Sequence, residues 1–207
     1  MTQPGLFDDQ PFASLDAVRR EALECRRCDL WKSGHRVVFG SGAERARLMV
    51  VGEGPSDADD RTGLPFSGPS GGLLDAWLGE LALSRAEVWL TNVVKHRPTM
   101  TEHGRERNRP PRAKEAAACA VWLAEELRHV RPDLVLALGG SAGKALIGRD
   151  FKITQQRGVM LAGPGDVPVL ATFHPAYLLR LEPPELQEAV RLVREDLALV
   201  RQTIAVP

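Results

Sequence analysis

The chain is 207 residues long with 27 basic and 27 acidic side chains, so its formal net charge is zero and any attraction to phosphate must come from local clustering. Hydrophobic residues make up 43%, enough for a sizeable core, and no apolar run approaches the roughly 18 residues of a membrane span. The acidic, Pro- and Gly-containing start MTQPGLFDDQ is unlike a signal peptide, which points to a cytoplasmic protein, where three cysteines argue for metal binding over a disulfide framework.

Residues 1–13 read as a flexible tail ahead of a single α/β domain, 14–207. Ser14 is placed to cap a helix through Ala17, Val18, Ala22 and Leu23, which delivers Cys25 and Cys28 at its end. Four short apolar runs, 48–51, 88–94, 134–138 and 167–172, read as buried strands. Helical patterns fall at about 71–83, 114–129 and 141–148, with a final amphipathic helix at about 184–203. Alternating helices and fully apolar strands predict a mostly parallel four-stranded sheet covered on both faces. Active sites of such sheets lie beyond the carboxyl ends of the strands, which selects segments 52–71, 95–114, 139–143 and 173–180. The one long irregular stretch, 97–111, has the length of a functional loop.

The first of these segments, GEGPSDADDRTGLPFSGPSGG, holds six glycines and three prolines in 21 residues, a backbone able to approach a ligand closely. Gly52 and Gly54 are candidate substrate-binding positions. Between them, Glu53 is a candidate catalytic carboxylate able to orient or activate water. Phe66 offers a flat face for stacking a base, against the plainer role of a loop anchor. Asn92 is a polar residue inside the apolar run TNVV; its amide matches a base edge, or else bonds nearby backbone. His174, at the end of the last strand, points to the same rim. A carboxylate, an amide and an imidazole converging there outweigh the ordinary structural histidine.

Cys25-x-x-Cys28 has metal-ligand spacing, Cys119 joins it from a helix, and His96 or His103 is available as a fourth ligand for zinc or an iron–sulfur cluster. Residues 95–115 carry seven basic side chains (Lys95, Arg97, Arg105, Arg107, Arg109, Arg112, Lys114) against three acidic ones, a candidate phosphate-binding loop or a solvated face. GGSAGK at 139–144 is one residue short of a nucleotide-binding loop and lacks its hydroxyl, so that function is excluded.

Taken in order, CRRCDLW, VVFGSG, GEGPSDADDRTGLPFSGPSG, TNVVKH, NRPP with Cys119 downstream, and HPAYLLR resemble the motifs of the family-4 uracil-DNA glycosylases and their uracil-crosslinking X-type relatives, over Cys25 to about Arg180. The resemblance implies a three-layer α/β/α fold, a [4Fe–4S] cluster on Cys25, Cys28, His96 and Cys119, and excision of uracil from single- or double-stranded DNA by a monomer. In it Glu53 positions or activates water, Phe66 stacks on the flipped uracil, and Asn92 reads its edge. His174 bonds the carbonyl oxygen that gains charge, and Leu179 and Arg180 enter the duplex where the base left. Arg105, Arg107 and Arg109 hold phosphate.

Three departures stand out. His96 occupies a position that is Cys in family 4 and His in the X-type; Ser56 replaces a Gly. The stretch 97–118 is longer than in ordinary family-4 members and approaches the arginine-rich loop of the X-type. Where the X-type carries its reactive His this chain has Asn108, so uracil is expected to be released by hydrolysis; a covalent adduct through His103 is the rival. A non-catalytic uracil- or damage-binding protein and a small zinc-stabilised binding domain are readings of other classes. Gln3-Pro4-Gly5-Leu6-Phe7 resembles the QxxLF-type peptides that bacterial sliding clamps bind, against an ordinary disordered terminus.

Overall fold

A computed structural model describes residues 12–204; most of the expected tail, including the clamp-like segment Gln3–Phe7, lies outside them. Phe12, which the sequence places in the tail, packs its ring 6.1 Å from Trp122, and its carbonyl accepts from Arg128 Nη2 at 2.6 Å. Helix α1 (Leu15–Leu23) starts where Ser14 Oγ accepts from the Ala17 N–H at 3.2 Å, the cap its sequence predicts. The chain then runs through Cys25 and Cys28 into a short 3-10 turn, Asp29–Lys32. A two-residue strand β1 (Ser41–Gly42) precedes the buried β2 (Leu48–Gly52).

The Gly-rich segment after β2 is more ordered than its composition predicts. Ser56, the replacement for glycine, caps α2 (Asp57–Thr62): its Oγ accepts from Asp59 N and its own N–H donates to Asp59 Oδ2. Helix α3 (Pro69–Glu80) follows with proline in its first turn, then β3 (Trp89–Asn92). The stretch expected to be irregular is an antiparallel hairpin, β4 (Thr99–Glu102) with β5 (Arg105–Asn108). His103 and Gly104, both at positive φ, make its two-residue turn. Neither face of the hairpin carries an apolar alternation, so nothing in its sequence marks it as strand.

Helix α4 (Ala113–Val130), β6 (Leu134–Leu138), α5 (Gly139–Leu146), α6 (Ile153–Gln156), β7 (Met160–Ala162), β8 (Pro168–Thr172), α7 (Pro175–Leu178) and α8 (Glu185–Ile204) complete the described chain. The sheet order is β1-β3-β2-β6-β8-β7. The expected parallel four are its centre, and the sheet has six strands because β1 and β7 add antiparallel edges. Those edges are two and three residues long, too short to show a period.

Side chains alternate across the strands, so the sheet has two apolar faces. Met49, Val51, Trp89, Val135 and Ala137 pack with α1, α4 and α5. Leu48, Val50, Leu90, Leu134 and Leu136 pack with α3, α7 and α8. The result is the α/β/α sandwich. The same alternation sends Thr91 to the α4 face and Asn92 to the α3 face.

Beneath the α4 face lies a fully buried ion pair. Lys95 Nζ donates to Glu126 Oε2 at 2.7 Å, to Thr91 Oγ1 at 2.7 Å and to the Asn92 carbonyl at 2.8 Å. Lys95 therefore does not belong to a phosphate-binding loop. Arg97 is likewise buried, on Asp57 Oδ1 at 2.8 Å, and Arg109 is held in two hydrogen bonds by Glu115. The basic run is contiguous in sequence and dispersed in space. Lys95→Met should lower the unfolding free energy by about 3–5 kcal/mol, because it leaves Glu126 buried without its cation. Adding Glu126→Leu should restore much of that loss in urea denaturation. Wild-type stability in the single variant would show that the pair holds nothing.

Candidate active site

Parallel pairing of β2 with β3 sets Gly52 directly beside Asn92 at the carboxyl ends of the two strands. Gly52 has no room for a side chain. A Cβ there would lie 2.3 Å from Asn92 Oδ1 and 2.7 Å from Phe66 Cζ, so the amide and the ring close over the backbone at that point. Gly54 makes a different approach, against the side chains of Val94 and Pro98. Asn92 is 2% exposed, and among the described residues its Nδ2 has no hydrogen-bond partner. A buried amide donor left unpaired costs about 1–3 kcal/mol, which fits an amide that waits for a ligand.

Phe66 is buried, and its backbone sits in the left-handed region at φ 56°. Its ring lies 6.4 Å from the His174 ring at an interplanar angle of 27°. His174 is the N-cap of α7, and its Nδ1 accepts from the Ala176 N–H at 3.0 Å. An accepting Nδ1 leaves the proton of the neutral ring on Nε2, which is then a donor. Burial, with the Arg180 charge beside it and Asp59 opposing, pushes the imidazole down to about 4. The ring is thus a neutral hydrogen-bond donor at ordinary pH.

Glu53 follows Gly52 and is half-buried; its Oε2 accepts from Ser141 Oγ in the first turn of α5. Beyond its incomplete phosphate-loop spacing, GGSAGK carries no local pattern that marks Ser141 as a site residue. The rule that sites lie beyond strand ends already pointed to it. Asp59 and Asp60, also missed, brace the segment between. Asp59 accepts from Ser56 N at 3.0 Å and Ser67 N at 2.7 Å, and Asp60 from His35 N at 2.8 Å and Arg36 N at 3.0 Å.

Leu179 is 53% exposed, just past α7, and Arg180 is exposed beside it. On the hairpin, Arg105 and Arg107 share one face by the two-residue period, together with the exposed Met100. Arg107 pairs with Glu102 at 2.9 Å. Arg109 is committed to Glu115 and to the Thr99 carbonyl, at the base of the hairpin. Asn108 Oδ1 accepts from Arg97 Nε at 2.7 Å. His103 lies at the turn, beyond about 10 Å of strand from Asn108 (three ladder steps of about 3.3 Å).

The three cysteines share one neighbourhood. Cys119 is buried, and burial, with Cys25 and Cys28 nearby, pushes its thiol up to about 12. Burial also raises Cys28. Cys119 Sγ accepts from the Lys95 N–H at 3.3 Å, and Cys25 Sγ from Trp122 Nε1 at 3.2 Å. His96 is 8% exposed, and burial, opposed by Asp60, lowers its pKa, which favours the neutral form that ligates metals. No three His, Cys, Asp or Glu side chains among the described residues close on a point as a single ion requires. Three soft sulfurs, two of them accepting N–H bonds, and a neutral imidazole are the donor types that ligate iron or zinc.

The state of His174 is testable without substrate. The unfolded chain takes up a proton near the ordinary value of 6.5, whereas the folded ring holds out to about 4. Its contribution is therefore full above that unfolded value and falls as pH drops through the window between the two. An NMR titration should show a His174 Nε2–H tautomer that protonates only near pH 4. Protonation near 6.5 would overturn the assignment.

The sequence family described as the uracil DNA glycosylase superfamily matches residues 39–198. A type-4 uracil-DNA glycosylase of Thermotoga maritima is 36% identical over 191 residues, covering 92% of this chain and 94% of its own. One from Archaeoglobus fulgidus is 35% identical over 182 residues, 84% of this chain and 87% of its own. One from Sulfurisphaera tokodaii is 33% identical over 202 residues, 94% of this chain and 86% of its own. With a superfamily match across most of its length and relatives of this closeness along nearly the whole chain, the protein belongs to the uracil-DNA glycosylase superfamily.

Proposed function

We propose that this uracil-DNA glycosylase reads its base with Asn92 and Phe66, breaks the glycosidic bond with His174 and Glu53, and releases uracil by hydrolysis. Excision of uracil from DNA is what its family and relatives establish. The residue assignments rest on one observation above the others. The buried, unpartnered Asn92 Nδ2 lies against Gly52 and Phe66, on the rim where His174 presents a neutral Nε2–H donor.

A base flipped into this site stacks on Phe66. Uracil offers a carbonyl at C4 and an N–H at N3, which the donor and acceptor of one amide satisfy side by side. Cytosine presents an amino group at C4, so donor would face donor and the amide would remain unpaired. As the bond from the sugar carbon to N1 breaks, its electron pair passes into the ring and charge grows on O2, where Nε2–H of His174 donates. Water held by Glu53 adds to the cationic sugar carbon and loses its proton to that carboxylate, whose other oxygen Ser141 fixes. Exposed Leu179 would fill the space left in the duplex, and Arg105, Arg107 and Arg180 are exposed cations available to its phosphates.

Hydrolysis is favoured over adduct formation by Asn108 and His103. An amide is a poor nucleophile, and Asn108 Oδ1 is bonded to Arg97, while His103 sits at the far end of the hairpin. Glu53→Gln or His174→Ala should each lower excision by about 10²–10⁴ with far smaller change in DNA binding. Asn92→Asp should erode the preference for uracil over cytosine. On denaturing gels the product should be alkali-cleavable abasic DNA. A heat-stable protein–DNA band lost in His103→Ala would establish the X-type reaction instead.

Cys25, Cys28, His96 and Cys119 are the residues proposed to hold a [4Fe–4S] cluster. When bound, it would supply a covalent tie between the segment after α1, the end of β3 and α4. Anaerobically purified protein should contain iron and absorb in the visible, and His96→Ala should alter that absorption. Colourless protein without iron would remove the assignment.

A further inference from the structure

Phe66 is the one Phe, Tyr or Trp at positive φ among the described residues, at 56°. In that region the Cβ crowds the following carbonyl, so a bulky residue stays there only when its surroundings hold it. The ring is pinned from inside by Gly52, whose missing Cβ would lie 2.7 Å from Cζ. The backbone is gripped from outside. Arg85 Nη2 donates to the Phe66 carbonyl at 2.6 Å, and Nη1 to the Pro65 carbonyl at 3.2 Å. The guanidinium is aimed in turn by Asp75, which accepts from Nε at 2.5 Å and from Nη2 at 3.2 Å. Gly71 makes the grip possible, since a Cβ there would fall 1.7 Å from the Phe66 oxygen and 2.7 Å from Arg85 Nη2. On the next residue, Ser67 N–H is tied to Asp59 at 2.7 Å.

We infer that Arg85, oriented by Asp75, is a positioning residue that holds the Pro65–Phe66 backbone in its strained conformation and so sets the ring against which uracil stacks. The inference rests on the stacking role proposed for Phe66. Arg85 lies on the segment between α3 and β3, outside every motif the family resemblance uses. Its side chain is 37% exposed, so it is not a core element whose loss would unfold the protein. Two carbonyls and both oxygens of Asp75 take four hydrogen bonds from the planar fork of the guanidinium, one more than the three donors of an ammonium can supply.

The test is a set of excision assays on uracil-containing oligonucleotides. Arg85→Ala should lower kcat/KM by about 10²-fold, the order expected when a distant change misplaces a reacting partner by about 1 Å. It should also weaken product inhibition by free uracil, at an unchanged melting temperature and unchanged affinity for uracil-free DNA. Arg85→Lys should fail to rescue. In a Phe66→Ala background, Arg85→Ala should cost nothing further. Full activity in Arg85→Ala, rescue by Arg85→Lys with a steeper salt dependence than Arg85→Ala, or an additive loss in the double variant would each overturn the clamp. The last two would mark Arg85 as a direct phosphate contact. Wild-type rates in Phe66→Ala alone would bring down the stacking role and the clamp with it. Impairment there with an intact Arg85→Ala would bring down only the clamp.

Discussion

The contact on which the site depends is the salt bridge between Lys95 and Glu126, whose side chains are 1% and 0% exposed. Burying two charges is expensive, and further hydrogen bonds with good geometry offset the cost. All three ammonium protons are used here. The ammonium reaches Thr91 and the Asn92 carbonyl, and the carboxylate takes Thr91 Oγ1 and the Gly40 N–H as well. The pair therefore fixes the last two residues of β3 from the side opposite the cleft. The backbone N–H of the same lysine bonds Cys119, and the next residue is His96. One short stretch of chain thus joins the unpaired Asn92 amide, the buried ion pair and the cysteine neighbourhood.

This arrangement explains the electrical character of the rim. The groups that would meet the base are an amide, a phenyl ring and an imidazole held neutral by burial and by the cation at Arg180. Glu53 is the exception, and it faces the sugar side in the proposed chemistry. Most cations of the basic run are engaged by carboxylates of α2, α4 and the hairpin itself. A pocket lined by neutral donors selects a neutral base and resists a charged one. The strongly charged part of the substrate, its backbone, is left to exposed residues.

What the sequence made legible follows from how each element is stabilised. The four central strands are buried on both faces, so their apolar runs stand out, and the helices between them show their period. Ser14 announced α1. The edge strands and the hairpin are held by backbone ladders with little apolar burial, and no pattern of side chains betrays them. Glu53, Asn92 and His174 were legible as candidates because polar residues at the ends of apolar strands are conspicuous, and Phe66 because it is an aromatic in a Gly-rich polar segment; the structure gathers all four on one rim. Ser141 and Arg85 were not. Each acts through long-range hydrogen bonds, Ser141 to Glu53 and Arg85 to Pro65 and Phe66, partners that come within reach only when the chain folds. Likewise the charge of 95–115 could be counted from the sequence, but not its neutralisation, because Glu126, Asp57 and Glu115 approach only when the chain folds.

The bond from Ala176 N–H to His174 Nδ1 bears on the traffic of protons during turnover. A ring whose Nδ1 already accepts a bond, and which takes up no second proton until about pH 4, lends its Nε2 proton to the departing oxygen without surrendering it. On the roles proposed here, uracil leaves as an anion and is protonated in solvent after release. The one rim group that must exchange a proton with bulk water in each cycle is Glu53. Since Ser141 occupies Oε2, that exchange runs through the other oxygen, and the cycle closes only when it faces water again.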